Sequence, residues 1–228
     1  MFRRLVLLIA ALAVLAPPMA RADSKASSKK QEVAEHLEKA RTAYLEVRDT
    51  KEIPDKLLSQ AKCIAVFPGV VKAAMGVGAR HGKGVMSCKD ASGQWGPPVF
   101  MEMSGGSMGF QIGVEKADVV LFFMTDKSIQ SLLDSKFTLG AQAGVAAGPV
   151  GRTAEANTDV KLNAEIYSYA RSKGAFAGLS LEGAKVAPDK SDNQAFYGKS
   201  ATANTVLVDH KVPGNVPVEA DTWIKTLP

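Results

Sequence analysis

Three types of residue in this sequence of 228 residues could together perform catalysis. They are a serine flanked by glycines, acidic residues that follow it, and a histidine after those. Gly105–Gly109 reads G-G-S-M-G and fits the G-x-S-x-G pattern, in which a turn between a strand and a helix exposes a nucleophilic serine. Asp189 or Asp192 and then His210 follow in the order of a hydrolase triad. However, the residues after Gly109 alternate between apolar and polar side chains, which is typical of a strand and not of the required helix. We therefore expect a glycine-rich turn or bulge between antiparallel strands, and we assign no catalytic residues.

A second glycine-rich segment, residues 76–84, is similar to a phosphate-binding loop in composition only. It lacks the G-x-G-x-x-G spacing, no G-K-[ST] sequence follows, and no helix is predicted to begin there and offer its N–H groups to a phosphate. We expect these glycines to permit tight bends or a close approach of the backbone, and we predict no nucleotide binding.

The sequence contains two cysteines, Cys63 and Cys88. An exported protein with an even number of cysteines favours a disulfide, and two reduced buried thiols are the alternative. Metal binding is not expected, because two cysteines 25 residues apart and three scattered histidines do not have a ligand spacing. We predict no cofactor.

Positive residues dominate the stretch between Lys56 and Lys89, which contains no acidic residue. The candidates for binding an anionic surface follow from this bias, and they are Lys62, Lys72, Arg80, His81, Lys83 and Lys89. The alternative is a solvated face that acidic residues elsewhere in the fold neutralise, since a charge run in sequence need not cluster in space. The sequence does not separate these two interpretations.

Residues 1–22 are typical of a secretory signal peptide. Arg3 and Arg4 precede an apolar run, and Ala20–Ala22 fits a cleavage site with small residues. An uncleaved membrane anchor is the alternative, but two prolines close a run that is too short to span a bilayer. We predict export through a cleaved signal peptide to the periplasm, either free there or peripheral to the membrane.

Removal of the signal peptide changes the charge of the protein. The whole sequence has 28 Lys and Arg, 23 Asp and Glu, and a net charge of +5. The signal peptide holds three arginines and no acid, so 25 basic and 23 acidic residues remain, with a net charge of +2. This balance does not support a nucleic-acid-binding protein.

Two helices are predicted ahead of the first strand. Residues 31–48 carry apolar side chains at steps of three and four, which indicates an amphipathic helix, and these are Val33, Leu37, Ala40, Tyr44 and Val47. The apolar stripe either packs on the sheet or lies on a membrane, and we favour packing because the stripe is narrow and lacks Trp and Phe. A short helix from Ile53-Pro54 to about Ala61 follows, and residues 23–30 are predicted to be a loose polar arm.

Strands separated by turn residues are predicted over most of the remaining chain. They cover residues 63–67, 73–79, 84–88, 99–103, 110–114, 119–124 and 137–147, with a helix over 127–134 capped by Thr125-Asp126. Strict alternation over 154–166 predicts a long strand. A turn at Ser172–Gly174 and a second strand over 175–185 complete a predicted antiparallel hairpin, which we expect to organise the fold.

These elements predict an α+β fold with a largely antiparallel, twisted sheet, a few packed helices and an N-terminal amphipathic helix. The sequence leaves open whether the sheet closes into a barrel-like shape. An outer-membrane barrel is the alternative fold, but the charge content and the two helices argue against it. The predicted organisation is a signal peptide over 1–22, a polar arm and amphipathic helix over 23–52, and one domain over 53–228.

Several motifs resemble the SYLF domain family, also called the Ysc84 actin-binding domain. They are residues 61–68, 76–84, 106–113, 137–140, 147–152, 167–183 and 196–198, in the order that the family has them. The resemblance covers residues 53–198, and the motif Y-S-Y-A-R-S-K-G-A-F-A-G-L-S-L-E-G over 167–183 is long and specific.

The resemblance implies a lipid-binding module and not an enzyme. Since an exported protein is not expected to meet actin or phosphoinositides, the expected partner is anionic phospholipid or a membrane surface. The alternative is a structural or protein-interaction module of the cell envelope without lipid specificity. The resemblance transfers no catalytic residues, and the sequence gives neither the lipid species nor the oligomeric state.

Overall fold

The structure, a computed structural model, describes residues 19–133, 137–149, 163–172, 175–176 and 181–228. Most of the predicted signal peptide lies outside these residues, and so do residues 154–162 of the strand predicted over 154–166. The described helices are α1 (Met19–Arg48), α2 (Asp55–Gln60), α3 (Asp126–Leu133), α4 (Lys190–Tyr197), α5 (Ala203–Leu207) and α6 (Val218–Ile224). The described strands are β1 (Cys63–Cys88), β2 (Val99–Phe123), β3 (Val145–Ala147), β4 (Ile166–Ser172), β5 (Ala175–Phe176) and β6 (Lys185–Pro188).

Strand β2 is the centre of the sheet. It pairs with β1 in antiparallel register along nearly its whole length, from Cys63 opposite Phe123 to Met86 opposite Val99. Its other edge pairs with β4 near one end and with β6 near the other, again antiparallel. Only β3, which lies beside β4, is parallel to its partner among the described strands. The predicted α+β fold with a largely antiparallel, twisted sheet is therefore confirmed.

The β1–β2 ribbon curls back on itself. Fully extended, the 26 residues of β1 would span about 85 Å, yet the Cα atoms of Cys63 and Cys88 lie 4.0 Å apart. The two ends of β1 cross so closely that a Cβ atom on Gly84 would lie 2.3 Å from the carbonyl oxygen of Val66. Glycine at this position therefore makes the crossing sterically possible.

A disulfide joins the two ends of β1. The Sγ atoms of Cys63 and Cys88 are 2.04 Å apart, which confirms the predicted bond over the alternative of reduced thiols. The backbone N–H of Lys89 also donates to the carbonyl of Lys62, at 2.8 Å. We call this region, where the strand ends meet, the closed end of the ribbon.

Hydrophobic residues on both faces of the sheet are buried. Neighbouring residues of β1 alternate between two clusters, with Cys63 and Ala65 in one and Ile64 and Val66 in the other. Side chains of α3, α5 and residues 137–143 cover the first cluster. Helices α1, α2, α4 and α6 cover the second.

Helix α1 packs on the sheet through its apolar stripe. Val33, Leu37, Ala40, Tyr44 and Val47 are all at most 2% exposed, which confirms packing over a free amphipathic face. The helix begins at Met19, so the prediction of a loose polar arm over 23–30 was wrong. A tertiary contact that the sequence pattern does not reveal, between Lys29 and helix α4, holds this polar part.

The short strands predicted before and after residue 95 merge into two long ones. Residues 76–80 pair with residues 105–109 across the ribbon, with Gly76 opposite Gly109, so neither segment is a loop or a turn. The bulge predicted as an alternative to a turn is present as a register shift, which leaves Phe110 and Gln111 without opposing residues in β1. A hydrolase elbow is excluded here because β2 continues through Ser107 as a strand.

The predicted hairpin is confirmed only near its turn. Strand β4 pairs antiparallel with β5, with Ser172 opposite Ala175. The second strand does not continue to residue 185, because the chain turns at Gly183, whose φ is +76°, and β6 then pairs with β2. The predicted strand over 137–147 is reduced to β3, since residues before it form turns. The short helices α2 and α3 lie close to where the sequence placed them.

Among the described residues, no helix combines the length and the apolar character that crossing a bilayer requires.

Candidate functional site

A groove of about 570 Å³ lies between α1 and the β1–β2 ribbon. We call it the α1–ribbon groove. Its charged lining residues are His36, Glu38, Lys39 and Glu46 from α1, His81 and Lys83 from β1, and Lys116 and Asp118 from β2. Its apolar wall includes Ala43 and Val71.

Local structure explains how both walls are positioned. The buried stripe of α1 fixes the rotation of the helix, so that residues beside Ala40, such as Lys39 and Ala43, line the groove. On the opposite wall, Pro68 and Gly69 form a bulge opposite Asp118. Gly69 has a φ of +60° and donates its N–H to Asp118 Oδ1 at 2.7 Å.

The three acidic residues of the groove all have hydrogen-bond donors. Glu38 accepts two hydrogen bonds from Arg41, at 2.8 and 2.6 Å, and these hydrogen bonds lower the pKa of the Glu38 carboxyl. Glu46 accepts from Arg171 at 2.7 Å. Asp118 accepts from the backbone at Gly69, as described above. Arginines therefore balance the charges of Glu38 and Glu46, whereas Asp118 keeps its negative charge and is stabilised by the Gly69 N–H.

The basic residues of the groove differ in their partners. Lys83 pairs with Asp189 at 3.0 Å and with Asp192 at 2.8 Å. Within the part of the chain that the structure describes, no ion pair is found for Lys39 or Lys116. The groove therefore presents two ammonium groups without carboxylate partners, and these can attract an anion.

An ion cluster around Asp192 clamps α1 to the sheet. The Asp192 side chain is 1% exposed and lies 2.8 Å from the Nζ atoms of both Lys29, on α1, and Lys83, on β1. His36 Nδ1 lies 3.8 Å away. Asp192 itself is held in the first turn of α4, where its backbone N–H donates to the N-cap residue Asp189.

The pKa values in this cluster follow from its geometry. Burial alone raises the pKa of Asp192, but hydrogen bonds from Lys29 and Lys83 outweigh burial and lower it. Burial alone lowers the pKa of Lys83, but its hydrogen bonds to Asp192 and Asp189 raise it overall. The hydrogen bond to Asp192 also raises the pKa of Lys29. All three groups are therefore held in their charged forms at neutral pH.

The six basic residues selected from the sequence do not form one patch. His81 and Lys83 line the groove, and Lys72 lies opposite Glu115 in the ribbon. Arg80 is 5% exposed, and burial lowers the pKa of its guanidinium. His81 Nδ1 lies 3.6 Å from Glu102 Oε1.

The remaining two basic residues are at the closed end of the ribbon. Lys62 pairs with Asp126. Lys89 donates to the carbonyl of Ser59 at 2.9 Å, its Nζ lies 4.8 Å from the centre of the Trp95 ring, and burial lowers its pKa. Acidic neutralisation, the alternative interpretation of the charge run, therefore applies at least to Lys62 and Lys83.

Sequence reasoning missed the residues that matter most in the groove and the clamp. They are Lys39, Lys116, Lys29 and Asp192. The helical period of α1 could have placed Lys39 beside the buried stripe. Lys116 and Asp192 required the strand register and the position of α4, which no local pattern gives.

Comparisons with known proteins identify the family. The family model described as Ysc84, Las17-binding protein actin regulator, matches residues 104–228. The SH3 domain-containing YSC84-like protein 1 of Rattus norvegicus is 34% identical over 171 residues, which are 75% of this chain and 48% of that protein. The LAS seventeen-binding protein 3 of Saccharomyces cerevisiae is 34% identical over 158 residues, 68% of this chain and 34% of that protein.

This α+β domain, with its curled ribbon and α1 groove, is thus similar to proteins whose family description and, for the yeast relative, whose name refer to binding of Las17. The chain belongs to the Ysc84 family, the family of the SYLF domain. It spans about half the length, or less, of the curated relatives that it matches.

Proposed function

We propose that this protein is exported to the periplasm and binds anionic phospholipid at a membrane surface, without catalysis. The observation that carries the proposal is the pair Lys39 and Lys116, which face the α1–ribbon groove without a carboxylate partner among the described residues. Each basic side chain close to an anionic membrane surface contributes about 1 kcal/mol to binding. The export step rests on the signal-peptide pattern of residues 1–22.

The groove fits a phospholipid headgroup better than it fits a neutral ligand. Its acidic side chains are bonded to Arg41, Arg171 and the Gly69 N–H, so an entering phosphate meets ammonium groups and not bare carboxylates. His36 and His81 lie on its wall and add positive charge when they are protonated. Attraction of this kind weakens as salt screens the charges.

Co-sedimentation of the purified protein with vesicles tests the proposal. We expect binding to vesicles of phosphatidylglycerol mixed with phosphatidylcholine, weaker binding at high salt, and little binding to phosphatidylcholine alone. The double substitution Lys39→Gln and Lys116→Gln removes two groove cations. Because each contributes about 1 kcal/mol, their loss should cost about 2 kcal/mol of binding free energy and weaken binding about thirtyfold.

A control of equal charge separates the groove from net charge. Lys199→Gln and Lys211→Gln remove two exposed cations far along the chain from the groove walls, and they should change binding much less. Equal losses for the two double variants would show that the groove is not the binding site. An absence of binding to any vesicle would refute the proposal and favour a protein-interaction module of the cell envelope.

Lys83 and Arg80 are poor choices for this experiment, although the charge run includes them. Lys83 belongs to the Asp192 clamp, and Arg80 is almost fully buried. Substitution at either position would change the fold's stability together with any binding, so a loss of binding would not identify a contact.

A further inference from the structure

The middle of the curled β1–β2 ribbon, away from the disulfide that joins the ends of β1, is free of charged residues. Residues 73–79 of β1 and 105–114 of β2 contain no Asp, Glu, Lys, Arg or His. The strand register pairs these two segments with each other, from Ala73 opposite Val114 to Ala79 opposite Gly106. The region lies midway along both strands, where the ribbon curls back on itself, and we call this bend the uncharged end of the ribbon.

Several residues at the borders of the uncharged end are exposed, whereas Gly78 within it and Arg80 beside it are buried. Val114 is 76% exposed and Val71 is 40% exposed, whereas the other large hydrophobic residues exposed among those described lie outside the sheet, in the C-terminal part of the chain. Ala73, Ala79 and Gly106 are also exposed. A paired ribbon that is apolar and open to solvent at its borders is typical of a surface that contacts a partner.

Positively charged residues border this region on one side. Lys116 lies directly opposite Val71 in the register, so both side chains share one face of the ribbon, and that face continues to the pair of Ala73 and Val114. Lys72 borders the same region in β1, opposite Glu115. Because Lys116 also lines the α1–ribbon groove, the uncharged end continues the groove's surface.

The order of these two surfaces, first the cations and then the uncharged end, matches the layers of a phospholipid interface. Cations at the level of the phosphates and an uncharged apolar segment beyond them are the features of proteins that lie partly within a bilayer surface. A second copy of the chain fits less well, since two such ends meeting symmetrically would bring the Lys72 and Lys116 side chains of both copies close together.

We propose that residues 73–79 and 105–114, at the uncharged end of the ribbon, enter the interface of an anionic phospholipid bilayer, with Lys116 at the level of the phosphates. This inference rests on the proposed function, because it names the part of the protein that carries out membrane binding. The apolar segments then supply the part of the binding free energy that salt does not screen.

The substitution Val114→Asp tests the inference, and Val218→Asp is its matched control. The two valines are almost equally exposed, at 76% and 77%, and Val218 lies on α6, outside the ribbon. With vesicles of phosphatidylglycerol and phosphatidylcholine, Val114→Asp should weaken binding about tenfold or more, since a carboxylate is costly in the bilayer. Val218→Asp should bind like the unsubstituted protein.

A second variant tests location directly. Val114→Trp places an indole at the uncharged end, and lipids brominated on their acyl chains should quench its fluorescence on binding, whereas the corresponding Val218→Trp should not be quenched. Both pairs of variants should have the same midpoint of urea denaturation as the unsubstituted protein, because both sites are exposed in the folded state.

The outcomes separate this inference from the proposed function. If the unsubstituted protein binds vesicles, but Val114→Asp binds equally well and the indole at 114 is not quenched, the inference is overturned and the proposed function stands. If no variant binds any vesicle, the proposed function fails. If Val114→Asp abolishes a dimer in sedimentation velocity and leaves vesicle binding unchanged, the uncharged end binds a second copy, which also overturns the inference.

Discussion

Two regions of the β1–β2 ribbon, its closed end and its uncharged end, are made from the same two strands and differ in cross-linking, burial and charge. At the closed end, a disulfide joins Cys63 to Cys88, and both faces of the sheet are covered by helices or turns. At the uncharged end, Val114 is 76% exposed. The closed end supplies stability, and the other end is available for contact with a partner.

Charge follows the same division. Lys62 at the closed end is paired with Asp126, and Lys83 on the clamp is paired with Asp189 and Asp192. No ion pair is found for Lys116, near the uncharged end, among the described residues. The comparison separates lysines that already have carboxylate partners from Lys116, a distinction that a charge run in the sequence does not make.

The largest expected effect comes from opening the closed end. Replacing both Cys63 and Cys88 by serine removes a cross-link between residues 25 apart in sequence, which should lower the free energy of unfolding by about 3 kcal/mol on the chain-entropy model. Urea denaturation of the variant and of the oxidised protein measures this difference. An unchanged midpoint would show that the closed end does not depend on its disulfide.

A smaller effect is expected from one substitution made at each end. Val120→Ala at the closed end removes two buried methyl groups from a fully buried side chain and should cost about 2 kcal/mol of unfolding free energy. Val114→Ala should change it by less than about 0.5 kcal/mol, because Val114 is exposed. Equal costs in urea denaturation would contradict the division of the ribbon into a stabilising end and an exposed end.

Among the substitutions of buried residues, the smallest effect is expected at the clamp between the two ends. Asp192→Asn removes the carboxylate that Lys29 and Lys83 share and should lower the free energy of unfolding at neutral pH by about 1–2 kcal/mol.

The pH dependence of this effect gives a sharper test. The folded-state pKa of Asp192 is lowered, so its contribution is fully present above the unfolded pKa of about 4 and is lost as the pH falls through the folded value. The difference between Asp192→Asn and the unsubstituted protein should therefore shrink in acid. A difference that stays constant from neutral pH down to acid would show that the charge on Asp192 is not what stabilises the clamp.

Local patterns in the sequence predicted several features correctly. The apolar period of α1 identified its buried stripe, and the even cysteine count together with the predicted export identified the disulfide. Thr125 was recognised as a cap, and it does accept a hydrogen bond from the Ser128 N–H. Each of these features depends on residues close in sequence or on an even count of one residue type.

Other features depend on contacts between distant residues. Lys83 and Asp192 are 109 positions apart, and the position of Lys116 opposite Val71 depends on a register set partly by the bulge at Gly69. The sequence predicts tight bends or close backbone approaches at the glycines of 76–84, and a turn or bulge at those of 105–109. The glycines lie in paired strands, with a close approach at Gly84 and a register shift beside Gly76. Glycine permits both a turn and a close crossing of strands, and only the tertiary fold decides between them.

The crossing at Gly84 also gives the protein a built-in chemical reporter. Any side chain at position 84 would push against the carbonyl of Val66 and move the two ends of β1 apart, and with them the two sulfur atoms. Oxidation of the cysteines and correct folding of the ribbon are thus coupled through one backbone contact. Alkylation of thiols in a cell extract would then measure how much of the protein has completed this crossing, without purification and without any assay of binding.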